Sequence, residues 1–171
     1  MLRRNAFILL LLTLHPMLAR SQNLDSLMAL RDTTVINAEQ LDLQLQIAYG
    51  LYDTDIREAL ALANRALREA EEINSITWIA EAKLAIGRFY DFLGVNEEAT
   101  EFLMDAFYSF VELEDSLKQA NTIRHIGNVY FYLDQFEPAQ YFFTLVSDYG
   151  KALDDTSLII SGLNSTAAVY G

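Results

Sequence analysis

The sequence repeats itself at a spacing of forty residues. When the chain is laid over itself with this shift, residues 86–90 (IGRFY) coincide with residues 126–130 (IGNVY), and these coincide with residues 166–170 (TAAVY). Three alanines at the same spacing also coincide, namely Ala59, Ala99 and Ala139. A fixed period of this size is typical of an array of similar structural units, so the period constrains the fold more than any single motif does.

Within each period the apolar residues follow helical spacing. Ile123, Ile126, Gly127 and Tyr130 lie three, four and seven positions apart, which places them on one side of a helix. A second, strongly apolar helix follows after a short break, and Pro138 suits its first turn because proline lacks only an N–H that has no helical partner there. The pattern predicts helices at residues 24–31, 38–52, 55–73, 76–93, 96–113, 116–134, 136–153 and 156–170.

Residues at the predicted helix boundaries are those that favour helix ends. We expect Gly94 to end one helix and Asn96 to cap the next one. Residues 55–58 (DIRE) have the spacing of a capping box. A single pair of such helices cannot bury its own apolar faces, so the pairs are expected to stack. The sequence therefore predicts an all-α fold, an α-α solenoid with a period of about 40 residues.

The chain begins with a different kind of segment. Arg3 and Arg4 precede an apolar run at residues 6–14, and small residues at positions 19 and 21 suit a cleavage site. This order is typical of a secretory signal peptide, and the run is shorter than the roughly 20 residues that a membrane-spanning helix needs. We predict a signal peptide at 1–21, with a retained membrane anchor as the alternative. We then expect an N-terminal leader with a short helix at 22–37, followed by the solenoid at 38–171. The solenoid contains repeats at about 38–74, 75–114 and 115–154 and a partial fourth repeat at 155–171.

The charge of the chain argues against nucleic-acid binding. The predicted leader holds three of the twelve basic residues and none of the twenty-four acidic residues, so the remainder is strongly acidic. Such a surface repels phosphate backbones and favours solubility or basic partners. The sequence has no cysteine, which excludes thiol chemistry and thiolate metal sites.

No arrangement of residues predicts catalysis or a cofactor. His125 is the only histidine after residue 15, and a single histidine inside a repeat is more typical of a structural or solvent-facing side chain. The carboxylate pairs at 97–98 and 154–155 lie near predicted helix starts, where negative charge suits the helix dipole. We therefore predict a protein that is not an enzyme and that holds neither metal nor cofactor.

The repeated residues resemble the tetratricopeptide repeat (TPR). The third period carries the residues of its signature, namely Ile123, Ile126, Gly127, Tyr130, Ala139 and Phe143, and the second carries Ile86, Gly87, Tyr90, Ala99, Leu103 and Ala106. The period of 40 is longer than the usual 34 or so, and the first repeat departs most from the signature. The resemblance implies a right-handed superhelix whose first helices line a concave groove that holds a protein or peptide partner.

The same resemblance suggests which residues face that groove. Carried over by position, they are Leu84, Arg88 and Asp91 in the second repeat, Asn121, Arg124, Asn128 and Phe131 in the third, and Asn164 in the fourth. Arginine and asparagine can hydrogen-bond a peptide backbone or a carboxylate. These residues do not reproduce the carboxylate clamp of chaperone-binding repeats, and plain solvated polar faces are the alternative interpretation.

A narrower resemblance concerns the order of the segments. A signal peptide, then residues 24–33 (LDSLMALRDT), then long repeats is similar to the periplasmic input region of bacterial sensor histidine kinases. This implies export to the periplasm or the outer side of the envelope, and no membrane contact by the mature chain unless the leader is retained or a spanning segment follows. We expect an interaction scaffold that is the input region of an envelope signalling protein, in a chain that is a truncated part of a longer one. A free-standing periplasmic adaptor that assembles envelope proteins is the alternative.

Overall fold

The computed structural model describes residues 36–170, and within this range the chain is all-helical. Its helices are α1 (Ala38–Leu51), α2 (Ile56–Glu72), α3 (Ile76–Leu93), α4 (Asn96–Glu112), α5 (Ser116–Tyr132), α6 (Phe136–Ala152) and α7 (Thr156–Ala168). The predicted signal peptide at 1–21, the predicted helix at 24–31 and most of the leader at 22–37 lie outside the described residues. The predicted all-α class is confirmed for the part that the structure describes.

The observed helices begin within one residue, and end within two residues, of the predicted positions. Alternate helices begin forty residues apart, at Ile56, Asn96 and Phe136 in one set and at Ile76, Ser116 and Thr156 in the other. Most predicted ends are late by one or two residues because the predicted spans include the C-cap residue, which still donates its N–H to the carbonyl four positions earlier, as Leu133 does to Val129.

The turns between the helices from α2 to α7 share one conformation. Each contains a residue with positive φ, and these residues are twenty positions apart: Asn74, Gly94, Glu114, Asp134 and Asp154, with φ between 52° and 71°. In each turn the N–H of the following residue donates to the carbonyl five positions earlier, as from Gln135 to Tyr130 at 2.9 Å. This is the Schellman arrangement that closes a helix end. The chain therefore turns from one helix to the next with the same geometry each time.

Short polar side chains start four of the helices. Asn37, Asp55, Asp115 and Asp155 each accept a hydrogen bond from the backbone N–H three positions on. The prediction that Asn96 caps α4 is wrong. Val95 occupies the cap position and Asn96 is the first residue of the helix, because in this turn, as in the others, the cap residue directly follows the residue with positive φ.

Each helix packs mainly against the helices before and after it in the chain. In addition, α1 contacts α3 and α3 contacts α5. We name the surface formed by α1, α3 and α5 the odd-helix face. Because these helices lie side by side, residues near their C-terminal ends come close together.

The core consists of three neighbouring clusters of buried residues. The first joins α1, α2 and α3, the second joins α3, α4 and α5, and the third joins α5, α6 and α7. Helices α3 and α5 therefore each contribute to two clusters. Small residues let the helices approach, since a Cβ at Gly87 would lie 2.8 Å from Leu103 Cγ and a Cβ at Gly127 would lie 2.6 Å from Phe143 Cε1.

Candidate functional site

An open cavity of about 600 Å³ lies on the odd-helix face. It is placed between the C-terminal parts of α1, α3 and α5, and the turn after α3 closes one side. Its lining combines aromatic and polar side chains, namely those of Tyr52, Arg88, Asp91, Phe92, Leu93, Asn96, His125, Asn128 and Tyr132, with the backbone of Gly94. A cavity of this size and mixed chemistry suits a side chain or a short segment of a ligand.

Three aromatic residues in the lining come from equivalent positions of successive periods. Tyr52, Phe92 and Tyr132 are forty residues apart, each at or next to the end of its helix. The rings of Tyr52 and Phe92 meet edge to face, with centroids 5.4 Å apart. Phe92 is 56% exposed and Tyr132 is 73% exposed, so both rings are open to solvent, whereas Tyr52 also packs against the first core cluster.

Asp91 is a lining residue of the cavity, and one oxygen of its carboxylate is buried within the protein. Its Oδ1 is buried and accepts no hydrogen bond from any described residue. Burial raises the pKa of the Asp91 carboxyl to about 6, although the nearby guanidinium of Arg88 acts in the opposite direction. A buried acceptor without a donor is costly, and native proteins usually supply a partner for such an atom.

Arg88 directs its charge toward α1. Its guanidinium carbon lies 4.8 Å from the centroid of the Tyr49 ring, which is the geometry of a cation–π contact. Burial raises the pKa of Tyr49, and the charge of Arg88 and its hydrogen bond to the Tyr49 side chain oppose this rise. Arg88 is thus partly engaged within the protein and only partly compensates Asp91.

His125 and Arg124 lie side by side on α5. Arg124 Nη2 lies 3.4 Å from His125 Nε2. Burial and, to a smaller extent, the charges of Arg88 and Arg124 together lower the pKa of His125 to about 3. His125 is therefore a neutral imidazole near pH 7, which contributes hydrogen-bonding nitrogens to the cavity and no charge.

The structure brings three of the predicted groove residues together. Arg88, Asp91 and Asn128 line the cavity, whereas Arg124 lies next to it, beside His125, and does not line it. The other predicted residues lie elsewhere on the helices.

Asn121 donates its side-chain N–H to the carbonyl of Leu117 one turn earlier, at 3.0 Å. Phe131 packs its ring against those of Tyr132 and Phe136 at the turn into α6. Asn164 is exposed on α7.

Leu84, which we expected to face the groove, lies in the core instead. It is 6% exposed and packs with buried residues of α4 and α5. The residue forty positions later is Arg124, so the equivalent positions carry an apolar side chain in one period and a charged one in the next. The position of Leu84 within the repeat therefore predicted the wrong environment for its side chain.

Sequence reasoning missed Tyr52, Phe92, Asn96 and Tyr132, and gave His125 no part in a site. A signal was present for the aromatic residues, because the forty-residue shift that aligns the core residues also aligns these three rings. No sequence signal indicated that Asn96 would enter the cavity, since its side chain was expected to cap α4.

Across residues 36–170, no group of three or more His, Cys, Asp or Glu side chains is placed to hold a metal ion. In the same range, no helix combines the length and the apolar character needed to cross a bilayer.

Comparison with known proteins places the chain by its fold. No family model matches the sequence, and no curated protein matches it. A solved structure, that of BtubC (BKLC) from P. vanneervenii, is similar, with a TM-score of 0.68 and 23% sequence identity. The similarity covers 89% of this chain and 63% of that chain, so this chain spans less than two thirds of the BtubC structure. At this identity the likeness shows a shared all-helical fold.

Proposed function

We propose that the protein is a non-enzymatic interaction scaffold of the tetratricopeptide-repeat type, which binds a segment of a protein partner on its odd-helix face. In this proposal the helix pairs stack as a right-handed solenoid, and α1, α3 and α5 are the first helices of successive pairs. The helix starts forty residues apart, the identical turns and the close approach at Gly87 and Gly127 support this arrangement.

The observation that carries the proposal is the cavity on this face. It brings the exposed rings of Phe92 and Tyr132 together with the polar residues Asp91, Asn96 and Asn128. Aromatic side chains with nearby polar groups are typical of the positions that dominate binding between proteins.

For the cellular setting, we propose that the chain is the input region of an envelope signalling protein of the histidine-kinase type. The support is the signal-peptide pattern at residues 1–21 and the order of the segments that follow it. Binding of a partner on the odd-helix face would then be the event that the signalling protein detects. A free-standing adaptor would use the same face, so the binding test below applies to both settings.

Filling the cavity tests the proposal. Asn128→Trp places a large side chain in the lining, and Thr144→Trp places the same side chain on an exposed position of α6. The partner is first captured from an envelope extract of the source cell and identified, and its affinity for each purified variant is then measured. We expect at least a tenfold loss for Asn128→Trp and no change for Thr144→Trp, with the same helical circular dichroism for both. Equal affinities for the two folded variants would reject the odd-helix face as the binding surface.

A further inference from the structure

We propose that the odd-helix face binds the carboxylate of an aspartate or glutamate side chain of the partner segment, held between the guanidinium groups of Arg88 and Arg124 at the edge of the cavity. This inference rests on the proposed function, because it specifies the chemistry of the ligand at the same face. The exposed rings of Phe92 and Tyr132 line the same cavity, so apolar side chains of the segment can pack next to the bound carboxylate.

The first argument is that two arginines meet at one edge of the cavity. Arg88 lines the cavity from α3. Arg124 is on α5, and its Nη2 lies 3.4 Å from Nε2 of His125, which also lines the cavity. Burial and, to a smaller extent, the charge of Arg88 lower the pKa of Arg124, so each guanidinium is within electrostatic range of the other.

The second argument is that these two charges have no carboxylate partner. Neither Arg88 nor Arg124 forms an ion pair with a carboxylate of residues 36–170. The contacts of Arg88 with Tyr49 use only part of its five N–H donors. Arg68 forms no such ion pair either, but its side chain is exposed and water can solvate it. Two partly buried like charges are unfavourable side by side, and a bound carboxylate would relieve this.

The third argument is the local charge, which is positive although the chain as a whole is acidic. The only carboxylate in the lining is that of Asp91, and it faces two guanidinium groups. His125 is neutral at pH 7, and Glu81 on α3 is paired with Lys118 on α5 at 2.7 Å. The net charge of −12 comes mostly from groups elsewhere, and charges more than about 8 Å away are screened at physiological ionic strength. A carboxylate is therefore attracted here, whereas a cationic side chain is repelled by both arginines.

The arginine pair also fixes one position along the bound segment, because the two residues are not equivalent in the repeat. The residue forty positions before Arg124 is Leu84, and the residue forty positions after Arg88 is Asn128. The pair therefore belongs to the junction of α3 and α5. Asn128 lines the cavity as well, and its side-chain amide can donate a further N–H to the carboxylate.

Three capped tripeptides test the inference by NMR titration of the full chain. They carry glutamate, glutamine or lysine between alanines, with acetyl and amide ends, so they differ in one side chain. We expect the glutamate peptide to shift the side-chain N–H signals of Arg88 and Arg124, and the other two peptides to leave these signals unchanged.

A fourth peptide, acetylated trialanine with a free C-terminal carboxylate, distinguishes an acidic side chain from a chain end. We expect it to bind more weakly than the glutamate peptide, since its carboxylate lacks the methylene stem that reaches the partly buried arginines. Equal or tighter binding of this peptide would overturn the assignment to an acidic side chain.

Arg88→Gln and Arg124→Gln each remove one guanidinium and keep a polar side chain. We expect either variant to bind the glutamate peptide about tenfold more weakly, because charge-assisted hydrogen bonds are lost. Arg68→Gln is the matched control, since Arg68 is exposed on α2, is not in the lining and should have no effect. Unchanged binding in either variant that retains its helical circular dichroism, or tighter binding of the lysine peptide by the wild type, would overturn the inference.

The outcomes separate this inference from the proposed function. If Asn128→Trp weakens the captured partner but the glutamate peptide does not bind, the scaffold role stands and the carboxylate ligand is wrong. If the glutamate peptide binds as expected but the partner is unaffected by Asn128→Trp, the carboxylate site stands and the proposed partner surface is wrong.

Discussion

At the scale of single residues, Asp91 is held in a state that costs stability. In the unfolded chain its carboxyl titrates near its ordinary value of 3.8, and in the folded chain burial raises the pKa to about 6. The folded protein therefore binds more protons than the unfolded chain between these values, so this group lowers the free energy of unfolding as the pH rises from about 4 through 6. Such destabilised groups are common where a protein keeps a side chain for binding.

Asp91→Asn is therefore expected to stabilise the protein at neutral pH. After discounting for solvent screening of a partly exposed group, the gain should be about 1 kcal/mol at pH 7.5. It should disappear near pH 4, where the wild-type carboxyl is protonated in the folded state. Urea unfolding of both proteins at the two pH values measures this. A variant that is less stable than the wild type at pH 7.5 would contradict the assigned state of Asp91.

His125 titrates in the opposite sense. Its pKa is lowered to about 3, so the unfolded chain binds a proton that the folded protein does not, and stability is lost as the pH falls below about 6.5. We expect the imidazole Hε1 signal of His125 to keep one chemical shift between pH 7 and pH 5. Titration of that signal with a midpoint near 6.5 would show an imidazole exposed to solvent.

Gly127 is a point of close packing between α5 and α6. Gly127→Ala would normally stabilise a helix by up to about 1 kcal/mol, but here the new Cβ would lie 2.6 Å from Phe143 Cε1. We expect a loss of about 1–3 kcal/mol from overpacking. In the double variant with Phe143→Leu the loss should be smaller than the sum of the two single losses, as measured by urea unfolding. Additive losses would show that Phe143 does not cause the strain.

At the scale of helices and turns, the residues with positive φ have the least favourable backbone conformation in the repeat. Only Gly94 among the five is a glycine, and the others carry side chains in a conformation that disfavours them. Glu114 has neither the short amide nor the short carboxylate that eases this conformation, so it is the most strained by residue type.

Glu114→Gly is expected to stabilise the protein by about 0.5–1 kcal/mol, because it relieves the left-handed backbone. Glu101→Gly is the matched control on an exposed position within α4 and should destabilise by about 0.5–1 kcal/mol. Thermal unfolding of the two variants shows whether the signs are opposite. Destabilisation by both would mean that the backbone at 114 is not left-handed.

The helices could be predicted from sequence because the apolar period, the breakers and the turn residues all act locally and agree. The cavity could be predicted only in part. Arg88 and Asn128 are at equivalent positions forty residues apart, were both predicted to face a groove, and both line the cavity. For Leu84 the same equivalence predicted an exposed side chain, but the residue is buried. Burial depends on which neighbouring helix covers the position, and such contacts join residues that are far apart in the sequence.

At the scale of the whole molecule, the described helices depend mainly on their chain neighbours. Within residues 36–170, α7 packs chiefly on α6, and its residues Ile160 and Leu163 are more than half exposed. In a chain held together by nearest-neighbour contacts, a helix covered on one side should open without the others.

Gly162→Leu tests this independence. A Cβ at Gly162 would lie 2.6 Å from the backbone nitrogen of Ser147, so a larger side chain should separate α7 from α6. We expect faster hydrogen exchange throughout α7 and unchanged exchange in α2, α3 and α4, as measured by mass spectrometry. Loss of protection in all helices together would show that the chain unfolds as one cooperative unit.

Photo-crosslinking from two tyrosine positions shows whether a protein partner binds to the odd-helix face. Tyr132 lines the cavity and Tyr141 is on α6, and both side chains are well exposed. Each is replaced by p-benzoylphenylalanine, and the proteins are irradiated in the source cell. We expect one specific crosslinked partner from position 132 and none from position 141. A partner crosslinked from position 141 alone, or equally from both positions, would contradict it.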